Sequence, residues 1–454
     1  MINLDWKLNV EDFGRIKRAS IKLSPFVVMV GRNNTGKSYL ASLLWGVLNP
    51  DQSILPKNLE NSGAFERYKA FFAELVSRER VRVHGDDWNI IADLINESLA
   101  DQTAQFAAGI LACPDAKIGK AAVEFSGFDG AVDIILPKLV EKTDARRTPL
   151  LRIRVKENQV EFLGGMTSAR QPAVAHRLAM MLCNYLVTGK LRGNALYIPA
   201  ARTGLMLAYK VLVAGLWGSL EFEDESSSRA VLPRPIVNFL RDLGSFEQDP
   251  DQPFYHIATE IERDVLEGGV EMYDGEFNDF WYTPRGSDVR LPIHAVSSLV
   301  TELAPFIILL KSGNLPSTII FEEPEAHLHL SAQRVLAKAL VRLVNAGKRI
   351  IITTHSDTFI QQINMLMHIY LHPEKEDLKR QFGYTDDELL NPDFATGYLF
   401  DPGHDGTVVK EITKTREGFI EPTMNEVIGN LTREIIQIQQ TDYQAEGTEN
   451  DSNF

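Results

Sequence analysis

Apolar residues near the start of the chain follow the two-residue repeat of β-strands. They alternate with polar residues over 2–8, recur over 16–23 and form an unbroken run over 26–30. Alternation is typical of half-buried strands, whereas an unbroken apolar run is typical of a strand buried on both faces. We therefore expect an antiparallel pair of strands, turning near 12–14, that leads into a buried third strand.

The pattern changes several times along the middle of the chain. Apolar residues recur at helical spacing from about 50 to 115 and from 173 to 192, and strand-like stretches occupy 118–165 and 270–295. No repeat of fixed period and no sustained heptad pattern is visible, so a long coiled coil is not expected. The middle of the chain predicts helices mixed with short strands.

The chain as a whole is acidic. It has 454 residues, 44% of them hydrophobic, which is enough for one large domain or two to three lobes, and its formal net charge is −14. An acidic surface repels nucleic acid, so a DNA partner requires a local basic patch. One candidate cluster consists of Arg78, Arg80, Arg82 and His84. A face exposed to solvent is the alternative interpretation of these residues.

Two cysteines, Cys113 and Cys183, occur in apolar stretches of helical spacing. They form neither a metal-binding spacing nor a disulfide framework, so we expect buried structural cysteines in a reducing compartment. The first residues do not resemble a signal peptide, and the apolar runs are too short to cross a bilayer. The sequence therefore predicts a soluble, cytoplasmic protein without a membrane partner.

The expected third strand ends in a glycine-rich motif. Residues 31–38 have the pattern G-x-x-x-x-G-K-S, and apolar residues at helical spacing follow. Strand, glycine loop and helix in this order predict a P-loop, whose backbone N–H groups bind phosphate at the positive end of the helix. Lys37 would reach the β- and γ-phosphates, and the Ser38 hydroxyl would hold Mg²⁺. The predicted phosphate-binding residues are Asn33, Asn34, Thr35, Gly36, Lys37 and Ser38.

The first hairpin would bring Arg15 close to this nucleotide. A solvated arginine in a hairpin turn is the alternative interpretation. A second arginine, Arg202, follows a short strand that breaks at Pro199. Such a turn either lines a site at the edge of a sheet or is an ordinary loop.

A P-loop requires a neighbouring strand that brings carboxylates to the metal and the water. Residues 318–321 predict a buried strand, and Glu322 and Glu323 follow it directly. We expect Glu322 to bind Mg²⁺, directly or through water, and Glu323 to polarise the attacking water. The alternative is two solvated acids in a loop. The next apolar strand, 349–354, ends at His355, which would hydrogen-bond the γ-phosphate or the water, or be structural.

Together these motifs resemble the ABC-type ATPase head shared by SMC, RecF and OLD-like proteins. The matching segments are 31–38 (Walker A), 319–328 (Walker B and D-loop), 353–356 (switch histidine) and 296–303 (a degenerate signature motif, with Leu299 where glycine is usual). The resemblance implies an α/β fold, an ABC-type P-loop NTPase head with an inserted helical lobe and no long coiled coil. It also implies that Ser297 and Ser298 open a helix that touches the γ-phosphate bound on a second subunit.

The resemblance also suggests how the chain is divided. Residues 1–50 and 290–435 would form a discontinuous ATPase core, and 51–289 would be an insertion of strands and a helical lobe. The segment 439–454 contains four acids and no basic residue, and we expect a disordered acidic tail.

By the same resemblance the chain would bind and hydrolyse ATP with Mg²⁺, as a homodimer or higher homo-oligomer that encloses ATP between subunits. It is most similar in style to the ATPases of bacterial phage-defence systems, of the OLD-like, Septu, PARIS and retron-linked types. That similarity implies a separate effector, a nuclease or toxin. The first alternative is a RecF-like DNA-repair ATPase acting on DNA ends or gaps. An ABC transporter subunit is disfavoured by the insertion and by the missing LSGGQ-like sequence.

Overall fold

The computed structural model describes residues 5–50, 63–101, 103–137, 151–221, 232–273, 279–313, 315–420 and 433–436. The expected acidic tail, 439–454, lies outside these residues. In the described part of the chain the strands are β1 (Trp6–Phe13), β2 (Ile16–Lys22), β3 (Phe26–Gly31), β4 (Arg80–Val83), β5 (Ile118–Phe125), β6 (Val132–Ile135), β7 (Arg152–Lys156), β8 (Gln159–Leu163), β9 (Ala195–Ile198), β10 (Gly268–Tyr273), β11 (Asp279–Pro284), β12 (Leu291–Pro292), β13 (Thr318–Glu322), β14 (Arg349–Thr354), β15 (Ala395–Gly403), β16 (Gly406–Glu411), β17 (Lys414–Thr415) and β18 (Gly418–Phe419).

Helices connect these strands and cover their faces. They are α1 (Lys37–Leu48), α2 (Gly63–Arg78), α3 (Asp87–Asp101), α4 (Thr103–Leu111), α5 (Gln171–Thr188), α6 (Arg202–Leu207), α7 (Tyr209–Glu221), α8 (Arg234–Ser245), α9 (Tyr255–Ile261), α10 (Ser298–Lys311), α11 (Leu330–Asn345), α12 (Asp357–Leu371) and α13 (Lys375–Phe382). None of the described helices is long and apolar enough to cross a membrane.

A nine-stranded sheet organises the molecule, in the order β5-β1-β2-β16-β15-β3-β14-β13-β9. The expected antiparallel hairpin is confirmed, because β1 pairs with β2. On the other side of the sheet β15, β3, β14, β13 and β9 run parallel. The carboxyl ends of parallel strands meet at one edge, so β3, β13 and β14 bring the expected motifs together there. The fold is therefore an α/β P-loop NTPase fold, and its described part contains no long coiled coil.

The core lies on both faces of this sheet. Val27 and Met29 of β3 pack into one apolar cluster with α1 and α5. The alternate residues Phe26, Val28 and Val30 pack into a second cluster with α10, α11 and α12. A strand buried on both faces needs an unbroken apolar sequence, which is the pattern of residues 26–30.

The middle of the chain also contributes to the main sheet. The stretches 118–165 and 270–295 form strands as expected. However, β5 and β9 lie within 51–289 and are both strands of the nine-stranded sheet. The division into a core of 1–50 and 290–435 and an insertion therefore remains a proposal, in which the insertion supplies both edges of the sheet.

Two expectations about the first helical stretch were wrong. Arg80 and Arg82 lie on β4, which pairs with β6, instead of on a helix. The alternation of these exposed arginines with Val81 and the buried Val83 is a strand pattern that the longer helical run obscures. Cys113 is exposed and follows the end of α4, whereas Cys183 is buried as expected.

Candidate functional site

The P-loop joins β3 to α1 and is shaped by two glycines. Gly31 has φ +146° and Gly36 has φ +101°, conformations that L side chains rarely adopt. A Cβ at Gly31 would lie 2.8 Å from the backbone oxygen of Phe400, and one at Gly36 would lie 2.8 Å from Ile16. The loop can therefore follow this path only with glycine at both positions, and it delivers Lys37 as the first residue of α1.

Lys37 crosses the inside of the loop. Its Nζ donates hydrogen bonds to the carbonyl oxygens of Gly31 (2.9 Å) and Arg32 (2.8 Å). The side chain is buried, and burial lowers the pKa of Lys37 to about 8, although the carboxylates of Glu323, Glu325 and Glu322 act in the opposite direction. A polyanion against this ammonium would compensate for its lost hydration.

A cavity of about 670 Å³ lies over the loop. It brings together the predicted phosphate-binding residues of 33–38, Arg15 from the first hairpin, and Glu323 and His355 from two other strands. Tyr39 completes the lining. Arg15 therefore lies on the side of its hairpin that faces the P-loop cavity.

Glu322 is the last residue of β13 and is buried. Its Oε2 accepts a long hydrogen bond from the Ala200 amide (3.4 Å), and burial raises the pKa of its carboxyl, although the hydroxyls of Ser38 and Tyr197 oppose that increase. Within the described part of the chain, its Oε1 has no hydrogen-bond partner. A buried carboxylate oxygen without a partner beside a serine hydroxyl is a donor set that suits Mg²⁺. Ser38 and Glu322 therefore fit the predicted metal site.

Glu323 occupies a strained turn directly after β13. Its φ is +41°, a sparsely populated region for a residue with a side chain. Its amide donates to the Thr353 carbonyl at 2.9 Å, which ties the turn to β14. Its Oε1 lies 3.6 Å from Nε2 of His355. The turn thus directs the Glu323 carboxylate into the P-loop cavity and toward His355.

His355 follows the end of β14 at an exposed position, with 30% of its side chain accessible to solvent. Burial, and then the positive charge of Lys37, lower the pKa of the imidazole, and Glu323 opposes them. The ring is therefore neutral near pH 7 and has one nitrogen available to accept a hydrogen bond.

Glu325 is a residue of the site to which the sequence assigned no role. Its Oε1 accepts hydrogen bonds from the Thr354 hydroxyl and the His355 amide, both at 2.7 Å. Burial raises the pKa of its carboxyl. Glu325 thus fixes the backbone that carries His355. Its position after Glu323 and Pro324 was the only sequence signal.

Ser297 and Ser298 lie apart from this cavity. Ser297 precedes α10, Ser298 is its first residue, and both are exposed. Neither lines the P-loop cavity of its own chain. Arg202, for which the sequence left two interpretations, is wholly buried between the turn of Glu323 and α10.

Comparisons with known proteins found one family that matches part of the chain and several solved structures of low similarity. Residues 238–360, which include Glu322, Glu323 and His355, match the AAA ATPase domain family. No curated protein matches the chain. Among solved structures, an Smc head bound to the C-winged helix domain of ScpA has 13% identity, covers 90% of this chain and 98% of its own, and gives a TM-score of 0.40. An Smc head domain with an extended coiled coil, bound to the C-terminal domain of ScpA derived from Pyrococcus furiosus, has 13% identity, covers 94% and 98%, and gives 0.36. The SMC head domain from Thermotoga maritima has 11% identity, covers 90% and 100%, and gives 0.33.

The family match and the P-loop together define the general activity. The AAA ATPase domain match spans the strand of the two glutamates and the strand that ends at His355. The phosphate-binding loop lies beside them on β3, outside the matched residues. The chain is a P-loop enzyme that binds nucleotide and hydrolyses ATP.

Proposed function

We propose that two copies of this ATPase enclose two ATP molecules head to tail, and that the nucleotide state controls a separate effector, a nuclease or toxin, in a bacterial phage-defence system. The observation that carries the dimer is the position of α10. Its N-terminus is exposed at Ser297 and Ser298 and does not line the P-loop cavity of its own chain. A helix N-terminus carries partial positive charge that suits phosphate. A second copy of the chain can supply that phosphate.

Within each subunit the residues have distinct proposed roles. The backbone of 33–38 and Lys37 bind the phosphates, with Arg15 beside them. Ser38 and Glu322 would hold Mg²⁺, which would neutralise charge on the phosphates. Glu323 orients a water molecule for attack on the γ-phosphorus and accepts its proton. The neutral His355 accepts or donates a hydrogen bond to the same water or to the γ-phosphate.

Solution mass is the measurement that tests the dimer. Light scattering would be recorded with and without ATP–Mg²⁺ for the wild type and for Glu323→Gln. An increase in mass with ATP, larger for Glu323→Gln because hydrolysis no longer releases the dimer, is the expected result. If the solution mass of both proteins is the same with and without ATP, the result would argue instead for a preassembled oligomer.

The effector part of the proposal rests on the resemblance to phage-defence ATPases. It predicts that protection of bacterial cells against phage requires both ATP binding by this chain and a second protein. The test is a plaque assay with the native gene neighbourhood, comparing the wild type, Lys37→Ala and Glu323→Gln. Equal plaque counts for all three proteins would argue against the proposed defence function, without affecting the assignment of ATPase activity.

A RecF-like role on DNA is the second candidate, and the small sheet β4-β6-β8-β7 favours it. Its two edge strands carry exposed basic residues on a chain that is acidic overall. They are Arg80, Arg82, Arg152, Arg154 and Lys156. Arg154 pairs with Glu161, whereas no ion pair involves the other four among the described residues.

Binding to the phosphate backbone is strongly salt-dependent, because bound counterions are released. If the edges bind DNA, affinity measured with ATP should decrease with salt, and the double variant Arg80→Ala/Arg82→Ala should flatten that dependence. Arg263→Ala is the control, since Arg263 already pairs with Asp264. Identical salt dependence in both variants would argue against the DNA role of these residues.

A further inference from the structure

Arg202 is a charged residue in the core beside the site, with 0% of its surface exposed. Its Nη1 donates to the carbonyl oxygens of Pro199 (2.8 Å) and Glu322 (2.6 Å), and its Nη2 donates to the carbonyl of Glu323 (2.9 Å). The guanidinium also lies over the ring of Phe321, 4.9 Å from its centroid. A single side chain thus holds the end of β13 and the turn that follows.

Two of these carbonyls belong to the peptide groups on either side of Glu323, the proposed general base. The carbonyl of Glu322 belongs to the peptide group before the Cα of Glu323, and the carbonyl of Glu323 belongs to the peptide group after it. Fixing both planes fixes φ and ψ of Glu323, and so the direction of its side chain. The φ of +41° at this residue is one that the chain keeps only where its surroundings enforce it. Within the described part of the chain, Arg202 is the side chain that donates hydrogen bonds to both planes.

The charge of Arg202 is balanced from another helix. Its Nε lies 2.7 Å from Oε2 of Glu302 on α10, at an angle that makes the contact an ion pair rather than a directed hydrogen bond. Oε1 of Glu302 accepts hydrogen bonds from the hydroxyl (2.7 Å) and the amide (3.2 Å) of Thr203. Glu302 lies one helical turn after Ser298, the first residue of α10.

We propose that Arg202 is a positioning residue that, through its ion pair with Glu302, makes the orientation of Glu323 depend on the position of α10. A shift of α10 by a fraction of an ångström moves Glu302, then the guanidinium, and then the two peptide planes that flank Glu323. The connection holds within one chain and does not require a dimer. One consequence rests on the proposed function. A phosphate on a second subunit that binds at Ser297 and Ser298 would shift α10 and so adjust hydrolysis in the subunit to which that α10 belongs.

The chain offers a matched control for this ion pair. At the other end of α10, Lys311 Nζ lies 2.7 Å from Glu262 Oε1, and both side chains are buried. Glu262 also accepts a hydrogen bond from a backbone amide, that of Val270. Glu262→Gln therefore removes the same charge from an equivalent pair on the same helix, away from the P-loop.

The experiment compares Glu302→Gln, Arg202→Lys and Glu262→Gln with the wild type. Nucleotide affinity is measured with a fluorescent ATP analogue, turnover by phosphate release, and stability by thermal melting. We expect Glu302→Gln and Arg202→Lys to lower kcat on the order of 10- to 100-fold, because small misplacements of catalytic groups have effects of that size. Nucleotide Kd should stay within about twofold, since 33–38 is untouched. Glu262→Gln should lower the melting temperature and leave kcat unchanged.

Equal kcat losses in Glu302→Gln and Glu262→Gln would overturn the proposal, because both would then reflect general destabilisation. Glu302→Gln keeps the oxygen that accepts from Thr203, so the test stands even if Arg202→Lys does not fold. The dimer is judged separately, from the dependence of wild-type specific activity on protein concentration. Specific activity that does not depend on protein concentration would argue against a requirement for a second subunit. The kcat comparison would then still decide whether Arg202 positions Glu323.

Discussion

Nε2 of His355 lies 3.6 Å from Oε1 of Glu323, and the two residues follow the ends of the adjacent parallel strands β14 and β13. The contact joins two of the side chains that line the P-loop cavity from outside the loop itself. Burial, and then the positive charge of Lys37, lower the pKa of His355, so the imidazole beside the carboxylate is neutral at pH 7. The pair is thus one acceptor and one neutral ring rather than a charged ion pair.

This protonation state predicts which replacements at 355 are tolerated. A neutral group that forms hydrogen bonds should replace the ring better than a cation, because Lys37 repels a second positive charge. We expect His355→Gln to lower kcat about 10²-fold, as for the loss of one hydrogen bond in a transition state, and His355→Lys to lower it further. Phosphate release at pH 7.5 gives the comparison. Higher activity for His355→Lys than for His355→Gln would show that the ring acts as a cation.

Glu323→Gln tests the general base. The change keeps the size and one oxygen of the side chain but removes its basicity, so kcat should decrease by roughly 10²- to 10⁴-fold. ATP affinity should stay near that of the wild type. Glu417→Gln, at an exposed position, serves as the control. Native hydrolysis in Glu323→Gln would mean that another group accepts the proton.

Lys37→Ala should abolish nucleotide binding without unfolding the protein. Lys37 carries a folded-state pKa of about 8 against an ordinary value of 10.5, so its charge costs stability at neutral pH. The sign follows from linkage: between pH 8 and 10.5 the unfolded chain binds the proton more strongly, and stability rises with pH across that window. In Lys37→Ala this rise should be absent, and the melting temperature at pH 7 should not decrease. Thermal melting from pH 7 to 10.5 measures both.

Glu322→Gln should have opposite effects on stability and on catalysis. Burial raises the pKa of Glu322, so the folded protein without metal binds this proton more tightly than the unfolded chain. The stabilisation that the protonated carboxyl contributes is fully present below its ordinary pKa of 4.5, and it is lost as the pH rises through the raised pKa of the folded protein. A neutral glutamine should therefore increase the melting temperature at pH 7 in the presence of EDTA. It should also lower Mg²⁺-dependent hydrolysis by on the order of 10²-fold, because a metal ligand is lost. A lower melting temperature would show that the carboxylate is stabilised by partners that glutamine cannot replace.

The sequence predicted the parts of the site that lie at strand ends. The loop 31–38, the pair Glu322 and Glu323, and His355 each follow an apolar run, and parallel strands place such residues at one edge of the sheet. These signals are local, because an apolar run and the polar residue after it are adjacent in the chain. The resemblance that these motifs carry implied the α/β fold before the order of strands was known.

The contacts that support the site have no local signal. Arg202 and Glu302 are 100 positions apart, and the packing of α6 against α10 brings them together. The short strand before Pro199 was predicted, but its place at the edge of the main sheet, as β9, had no local signal, and the sequence assigned it to an insertion. At β4 a short alternation lay within a longer helical pattern, and the register with β6 decided the outcome.

Ser298→Arg tests the contact between subunits most directly. Ser298 is exposed at the start of α10, and a long cation there would prevent close approach to a phosphate on a second copy. The P-loop cavity does not include Ser298, so ATP affinity of the single chain should be unchanged. We expect no increase in mass with ATP–Mg²⁺ and a kcat lower by about 10-fold or more, as for the loss of charge stabilisation at a transferring phosphate.

Ala173→Arg, at an exposed position in the first turn of α5, is the matched control for adding a cation at a helix start. It should leave both mass and turnover as in the wild type, because α5 does not line the P-loop cavity. If Ser298→Arg instead still shows the ATP-dependent mass increase, the N-terminus of α10 is not at the interface. If it retains the mass increase but loses turnover, α10 acts on Glu323 within its own chain, through Glu302 and Arg202, rather than across the dimer.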